Sequence, residues 1–223
     1  LLGLTVTLLA YQAAFWLYRR SGMNPLANPV LIAVTILVLL LMLTATSYET
    51  YFAGAQFVHF LLGPATVALA IPLYTQFRRV RSMLLPVVAG LVAGSLTAAL
   101  SAIAIARLFG ASLPTQLSLA PKSVTTPIAM GIAERIGGIP SLTAVLVIVT
   151  GILGAVGARY IFDAMKLRDP AIRGFAIGVA SHGIGTARAF QVSEQAGAFA
   201  ALAMGLNGAL TALLLPLVLG WMR

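Results

Sequence analysis

Lys122 stands inside a long apolar stretch, in the run Pro121-Lys122-Ser123-Val124-Thr125-Thr126-Pro127. A lysine at membrane depth costs roughly 2.5–3.5 kcal/mol, so it must face a cavity or an anion. Its company suggests which: the hydroxyls of Ser123, Thr125 and Thr126, together with the free amides of a helix start, suit a carboxylate. The bland alternative is a lysine that snorkels to the surface. His182 lies in a second polar run, Ser181-His182-Gly183-Ile184-Gly185-Thr186-Ala187-Arg188. Histidine is the residue type that titrates near neutrality, which makes this one a candidate substrate ligand or proton carrier. It could equally bind backbone carbonyls that the neighbouring glycines release. Thr186 accompanies it, and Arg188 is either a second anion clamp or an interfacial anchor. Asn207, between Gly205 and Gly208, offers an amide to a cavity or glues a small-residue helix interface. Glu194 is a candidate coupling carboxylate or an exposed loop acid near the outer end of its segment. His59 reads as structural.

No catalytic constellation accompanies these residues. Gly131 to Gly138 lacks the Gly-Lys-Ser ending of a phosphate loop. Two histidines 123 residues apart and five acids, mostly in loops, do not make a metal site. There is no serine elbow and no cysteine. Neither an enzyme nor a bound cofactor is expected.

The elements that must position these groups are set by composition. Of 223 residues, 60% are hydrophobic and only 9% charged, against about 25% charged in a soluble domain. Lipid is therefore the solvent for most of the chain, and a lone soluble enzyme is excluded. The net charge of +9 sits in short runs between apolar stretches, as topology signals do, so nucleic acid is not the expected partner. Apolar runs fall at about 1–18, 29–46, 55–77, 84–109, 113–135, 139–162, 171–190 and 196–221. The first lacks a basic leader and a small-residue cleavage site, and reads as a span rather than a signal peptide. Breaks are expected at Gly63-Pro64 and Pro72, across 113–135 with its three prolines, and at 181–186. Irregular backbone at such depth must line a cavity or be buried in protein.

Charge then orders the spans. Arg19-Arg20, Arg78-Arg79-Arg81 and the stretch containing Arg159, Lys166, Arg168 and Arg173 are the basic connections, placed in the cytoplasm by the positive-inside rule. Three apolar segments separate the second from the third. An odd number cannot return the chain to one side, so the proline-rich 113–135 is expected to dip in from outside and return. The expectation is an all-α polytopic membrane protein: a single transmembrane domain, 1–223, with about seven spanning helices and one re-entrant segment. The N-terminus then lies outside and Arg223 in the cytoplasm. Faint internal matches pair Pro29-Val30-Leu31-Ile32-Ala33-Val34 with Pro140-Ser141-Leu142-Thr143-Ala144-Val145. They also pair Gly94-Ser95-Leu96-Thr97-Ala98 with Gly208-Ala209-Leu210-Thr211-Ala212. The offsets of 111 and 114 suggest inverted repeat halves 1–110 and 111–223, with broken helices. A rival match at offset 57 pairs Leu62-Gly63-Pro64-Ala65-Thr66-Val67 with Leu119-Ala120-Pro121-Lys122-Ser123-Val124.

The lysine-hydroxyl and serine-histidine runs carry a resemblance. With Gly137-Gly138-Ile139-Pro140, Gly151-Ile152-Leu153-Gly154-Ala155 and Gly197-Ala198-Phe199, they resemble the signature of the LrgB/CidB family, along nearly the whole chain. Its members have been described as antiholin-like or holin-like regulators of murein-hydrolase export. Relatives include a plastid glycolate/glycerate transporter and bacterial proteins linked to pyruvate uptake that work with a small LrgA-like membrane partner. The resemblance implies a multi-pass protein of the cell (inner) membrane that moves small monocarboxylates of the glycolate, pyruvate or lactate type by alternating access, coupled to a proton or Na⁺. It carries a site onto Lys122, Ser123, Thr125, Thr126, His182, Thr186 and Arg188. Relatives often have an acid where this chain has Gln191, and Glu194 is the candidate substitute. A homodimer is expected from what elevator-type transporters commonly form. The alternatives are a holin-like permeabiliser or a scaffold that only binds its partner.

Overall fold

The computed structural model describes residues 2–68 and 70–219, with all side chains except those at 59, 62, 63, 65, 66 and 73. The side chain of His59 therefore lies outside what is described. Among the described residues there is no strand, and the helices fall into two compact units, 1–70 and 71–223.

The first unit holds α1 (Leu2–Arg20), α2 (Pro29–Leu43) and α3 (Tyr48–Ala68), with α4 (Ala70–Thr75) beginning at the boundary. α2 starts at Pro29, whose missing N–H is no loss in the first turn. The Asn28 side chain caps it, accepting from the amides of Val30 (2.9 Å) and Leu31 (3.2 Å). α1 packs on α3 where Gly3 lies against the backbone of Tyr51 and Gly54, and the Thr7 hydroxyl meets that of Tyr51 at 2.7 Å. The expected break at Gly63-Pro64 does not occur. α3 runs through Pro64, because a proline-freed carbonyl in a helix can be satisfied locally without ending it.

The second unit takes in the rest of α4 and then the short basic α5 (Phe77–Ser82). It is built on three long helices, α6 (Leu84–Leu108), α9 (Pro140–Ala164) and α11 (Glu194–Leu219). All three are long and apolar enough to cross a membrane. Between them come α7 (Leu113–Leu119) with α8 (Thr126–Ile136), and then α10 (Pro170–Val192), whose backbone leaves helical geometry at Ser181 and His182.

Contacts along α10 give the direction of every neighbour. Its outgoing arm, 170–180, runs parallel to α11: Gly174 lies on Ala196, and Gly178 on Ala200 and Ala203. Its returning arm, 183–192, runs antiparallel to α11, with Thr186 and Gly183 beside Met204 and Phe190 over Gly197. α10 is thus a hairpin that enters and leaves at one end of the unit. This corrects the expectation that 171–190 crosses the membrane. Two residues of non-helical backbone suffice to reverse the chain, and the glycines let its arms close on α11.

The other directions follow. α6 runs parallel to the outgoing arm, since Gly90 faces Phe175 and Gly94 faces Val179. α9 runs antiparallel to it, with Ala158 packed near Ile177 and Gly154 against Ser181. α6 therefore ends where α9 begins, and the intervening α7–α8 leaves from and returns to that end. The turn 120–125 joins its arms. Two hairpins thus enter the unit from opposite ends, each followed by a long helix. α6 and α11 run in the same direction, which overturns the inverted pairing of Gly94-Ser95-Leu96 with Gly208-Ala209-Leu210. The hairpin also returns Glu194 to the end where α9 finishes, away from the expected outer position, and sends the end of α11 to the opposite side from Arg168.

Candidate functional site

The tips of the two hairpins converge. The α7–α8 tip is held by local turns, with the amide of Lys122 donating to the Leu119 carbonyl (3.2 Å) and that of Val124 to the Pro121 carbonyl (3.2 Å). Pro121 and Pro127 keep this backbone from continuing as a helix, and α8 opens at Thr126 with Thr125 extended before it. The α10 tip is held differently. His182 has φ 42° and ψ −132°, a conformation disfavoured for a side-chain-bearing residue by about 1–3 kcal/mol. Its ring compensates, since Nε2 lies 3.0 Å from the Val147 carbonyl on α9. The Thr186 hydroxyl donates to the His182 carbonyl at 2.8 Å, as a helical residue four positions on can.

α9 admits this tip through missing side chains. A Cβ on Gly154 would collide with the Ser181 hydroxyl, and one on Gly151 would lie 2.8 Å from His182 Cε1. The Gly151-Ile152-Leu153-Gly154 spacing puts both glycines on the face turned to the hairpin.

Asn207 ties the tips together. It is 1% exposed, and its Nδ2 donates to the carbonyls of Ser123 (3.1 Å) and Val179 (3.0 Å). Its Oδ1 accepts from Ser95 on α6 and from the Thr211 hydroxyl (3.4 Å). Both donors and both acceptor positions of the amide are used. Of the two roles open to Asn207 in the sequence, the structure displays the interhelical one.

A cavity of about 970 Å³ lies beside the tips, walled by α6, α9 and the outgoing arm of α10. Lys122, Ser123, Ser181, Gly154, Phe175 and Phe199 are among its lining. Lys122 Nζ donates to the Ser123 hydroxyl at 3.3 Å, and no carboxylate lines the cavity among the described residues. The Ser181 hydroxyl is buried with no hydrogen-bond partner. A lysine with no carboxylate beside it in a largely apolar space forms a site for a small anion, and the buried, unsatisfied Ser181 hydroxyl lies in its wall, packed against Gly154.

Not every residue singled out in the sequence reaches this space. Lys122 and Ser123 line it; Thr125 and Thr126 open α8 and do not line it among the described residues. His182 and Thr186 are buried behind the tip, bonded to protein. Arg188 lies on the returning arm, donating to Gln191 Oε1 (3.1 Å), and faces a different cavity. Glu194 is exposed at the first turn of α11. Ser181 was missed. Its signal was its place one residue before His182 and two residues before Gly183, where the chain reverses.

The chain matches the model of the LrgB-like family over residues 7–221. It is similar to two Bacillus subtilis (strain 168) proteins: YxaC, 36% identical over 96% of this chain and 92% of that one, and YwbG, 35% identical over 100% and 98%. It is also 30% identical to a Bacillus cereus (strain B4264) protein named antiholin-like protein LrgB, over 96% of this chain and 94% of that one. No solved structure matches it. Helices of membrane-crossing length and apolarity, the motifs at both hairpin tips and a match over nearly the whole length agree: this chain is a membrane protein of the LrgB-like family.

Proposed function

We propose that this protein is a secondary transporter of small monocarboxylates of the glycolate, pyruvate or lactate type. The observation that carries the reading is the cavity in which Lys122, Ser123 and Ser181 meet without a carboxylate. Lys122 holds the carboxylate group, the Ser123 hydroxyl reads the hydroxyl or carbonyl oxygen beside it, and the Ser181 hydroxyl joins once the packed α10 tip opens to the cavity. His182 acts as a positioning residue, keeping the α10 tip in its strained form through Val147.

Alternating access is supported by the build of the second unit. Hairpin plus helix occurs twice, in opposite senses, as 113–164 and 170–219. An offset of 60 residues lays Lys122 on His182, Thr126 on Thr186 and Val147 on Asn207. Val147 and Asn207 each hydrogen-bond the tip of the other copy, His182 in one case and the Ser123 carbonyl in the other. This inverted pair replaces the halves 1–110 and 111–223 as our reading of the repeat. The membrane is then crossed by α1, α2, the α3–α4 stretch, α6, α9 and α11, with two re-entrant hairpins. Arg79 is bonded to Asp169 at 2.6 Å, joining the two basic stretches of this unit at one end. By the positive-inside rule that end is cytoplasmic. The end of α11 is then outside, and Arg19-Arg20 place the N-terminus outside by the same rule. A small LrgA-like partner, from the family resemblance, a homodimer, from what elevator-type transporters commonly form, and coupling to a proton or Na⁺ complete the reading.

The name of the Bacillus cereus relative, antiholin-like protein, favours a second reading, a holin-like permeabiliser, which the family resemblance extends to a regulator of murein-hydrolase export. Proteoliposomes holding an entrapped dye separate the two. Saturable uptake of labelled glycolate or pyruvate with the dye retained is expected, and Lys122→Ala is expected to abolish it while the protein still inserts. Dye release without saturation would establish the permeabiliser instead, and normal uptake by Lys122→Ala would remove the site.

A further inference from the structure

At the end of the second unit where α9 finishes and α11 starts, a separate cavity of about 300 Å³ opens. It shares no lining residue with the cavity at the tips. Four arginines line it, each from a different part of the chain: Arg159 on α9, Arg168 in the connection that follows, Arg173 on the outgoing arm of α10 and Arg188 on the returning arm. No Asp or Glu lines it among the described residues.

One acid, Asp163, is shared between two of the four arginines, pairing with Arg173 and, at 3.8 Å, with Arg159. Arg173 also lies over the Phe162 ring at 5.7 Å. Arg173 is thus a fixed part of the wall, while Arg159 and Arg168 are exposed. Asp169 does not neutralise the group, since it bonds Arg79 and caps the α10 amide of Ala171. A topology signal needs only that basic residues lie on one side. It does not need four guanidinium groups around one concavity, and such convergence at the cytoplasmic end of a helix bundle suits a phosphate group.

We propose that this cavity binds a phosphate-bearing anion, which bridges α9 to both arms of the α10 hairpin. Because Arg173 and Arg188 lie on opposite arms, occupancy resists any motion that separates them. A soluble phosphate compound and an anionic lipid headgroup share this chemistry.

The test is thermal unfolding of the purified full chain in neutral detergent. One arm titrates inorganic phosphate against sodium chloride at equal ionic strength. The other titrates phosphatidylglycerol against phosphatidylcholine in the micelle. A rise in Tm that grows with the logarithm of concentration and reaches roughly 5–10 °C at a hundredfold excess over Kd is expected in one arm. A rise with inorganic phosphate marks a soluble ligand, and one with phosphatidylglycerol alone marks a headgroup. The double variant Arg159→Gln/Arg168→Gln and the single variant Arg188→Gln are expected to lose the rise, while Arg173 is left to hold the wall. Equal response to chloride and phosphatidylcholine, or a rise retained in the variants, would overturn the proposal; the wild-type titrations decide it even if a variant fails to fold.

Discussion

Two buried polar residues in the second unit make opposite uses of hydrogen bonding, and their substitutions should differ in sign. Asn207 satisfies two carbonyls from separate tips, those of Ser123 and Val179. Asn207→Ala leaves both buried without a donor, so a loss of about 2–4 kcal/mol is expected, seen as a lowered thermal midpoint in detergent. The Ser181 hydroxyl has no partner to lose. Ser181→Ala is therefore expected to leave the thermal midpoint unchanged or raised. If the hydroxyl contacts substrate, the same variant should raise KM for uptake about threefold to tenfold, the worth of one hydrogen bond. A stable variant with unaltered KM would take Ser181 out of the site.

At the scale of elements, the α10 hairpin depends on α9 lacking side chains where the tip enters. Gly154→Ala would place a methyl group in collision with the Ser181 hydroxyl and 2.9 Å from its Cβ, so the α10 tip must shift to admit it. Uptake is expected to fall at least about tenfold, the effect of a misplaced binding group. Gly157→Ala is the control, since its Cβ would meet only the tip of Ile161, at 3.9 Å, and alanine favours the helix. Equal activity in the two variants would mean that the α10 tip tolerates displacement. The sequence marked this element as broken from Gly183, Gly185 and His182. It did not reveal that the break reverses the chain, because glycine permits many bends and the choice among them lies in contacts with α9 and α11. At Pro64 the same rule predicted a break that the helix does not make.

For the whole molecule, sidedness is the sharpest consequence. The chain has no cysteine, so single cysteines report location without background. Arg168→Cys and Glu194→Cys are expected to react with a membrane-impermeant maleimide from the same side of oriented vesicles. Ser112→Cys is expected to react from the other. Labelling of Glu194→Cys opposite to Arg168→Cys would mean that α10 crosses the membrane after all. Counting charges had already required an element between Arg81 and Arg159 to return, and the α7–α8 hairpin is such an element. The same count could not detect the second return, since no basic cluster follows α10 to register it.

The sequence by itself determined the solvent, the helical class and the family. Each is written in composition or in short contiguous motifs: 60% hydrophobic residues, no cysteine, and the runs around Lys122 and His182. Local steric rules also located the backbone breaks at those two runs. Only the tertiary structure decided which side chains share a space. Lys122 and Ser181 are 59 positions apart, and they line one cavity because two hairpins enter from opposite ends and Asn207 pins their tips. His182, Thr186 and Arg188, all adjacent to the motif, turn to α9, to the returning backbone and to a second cavity. Distance along the chain carries no information about such pairings, whereas close packing of small residues between helices fixes them.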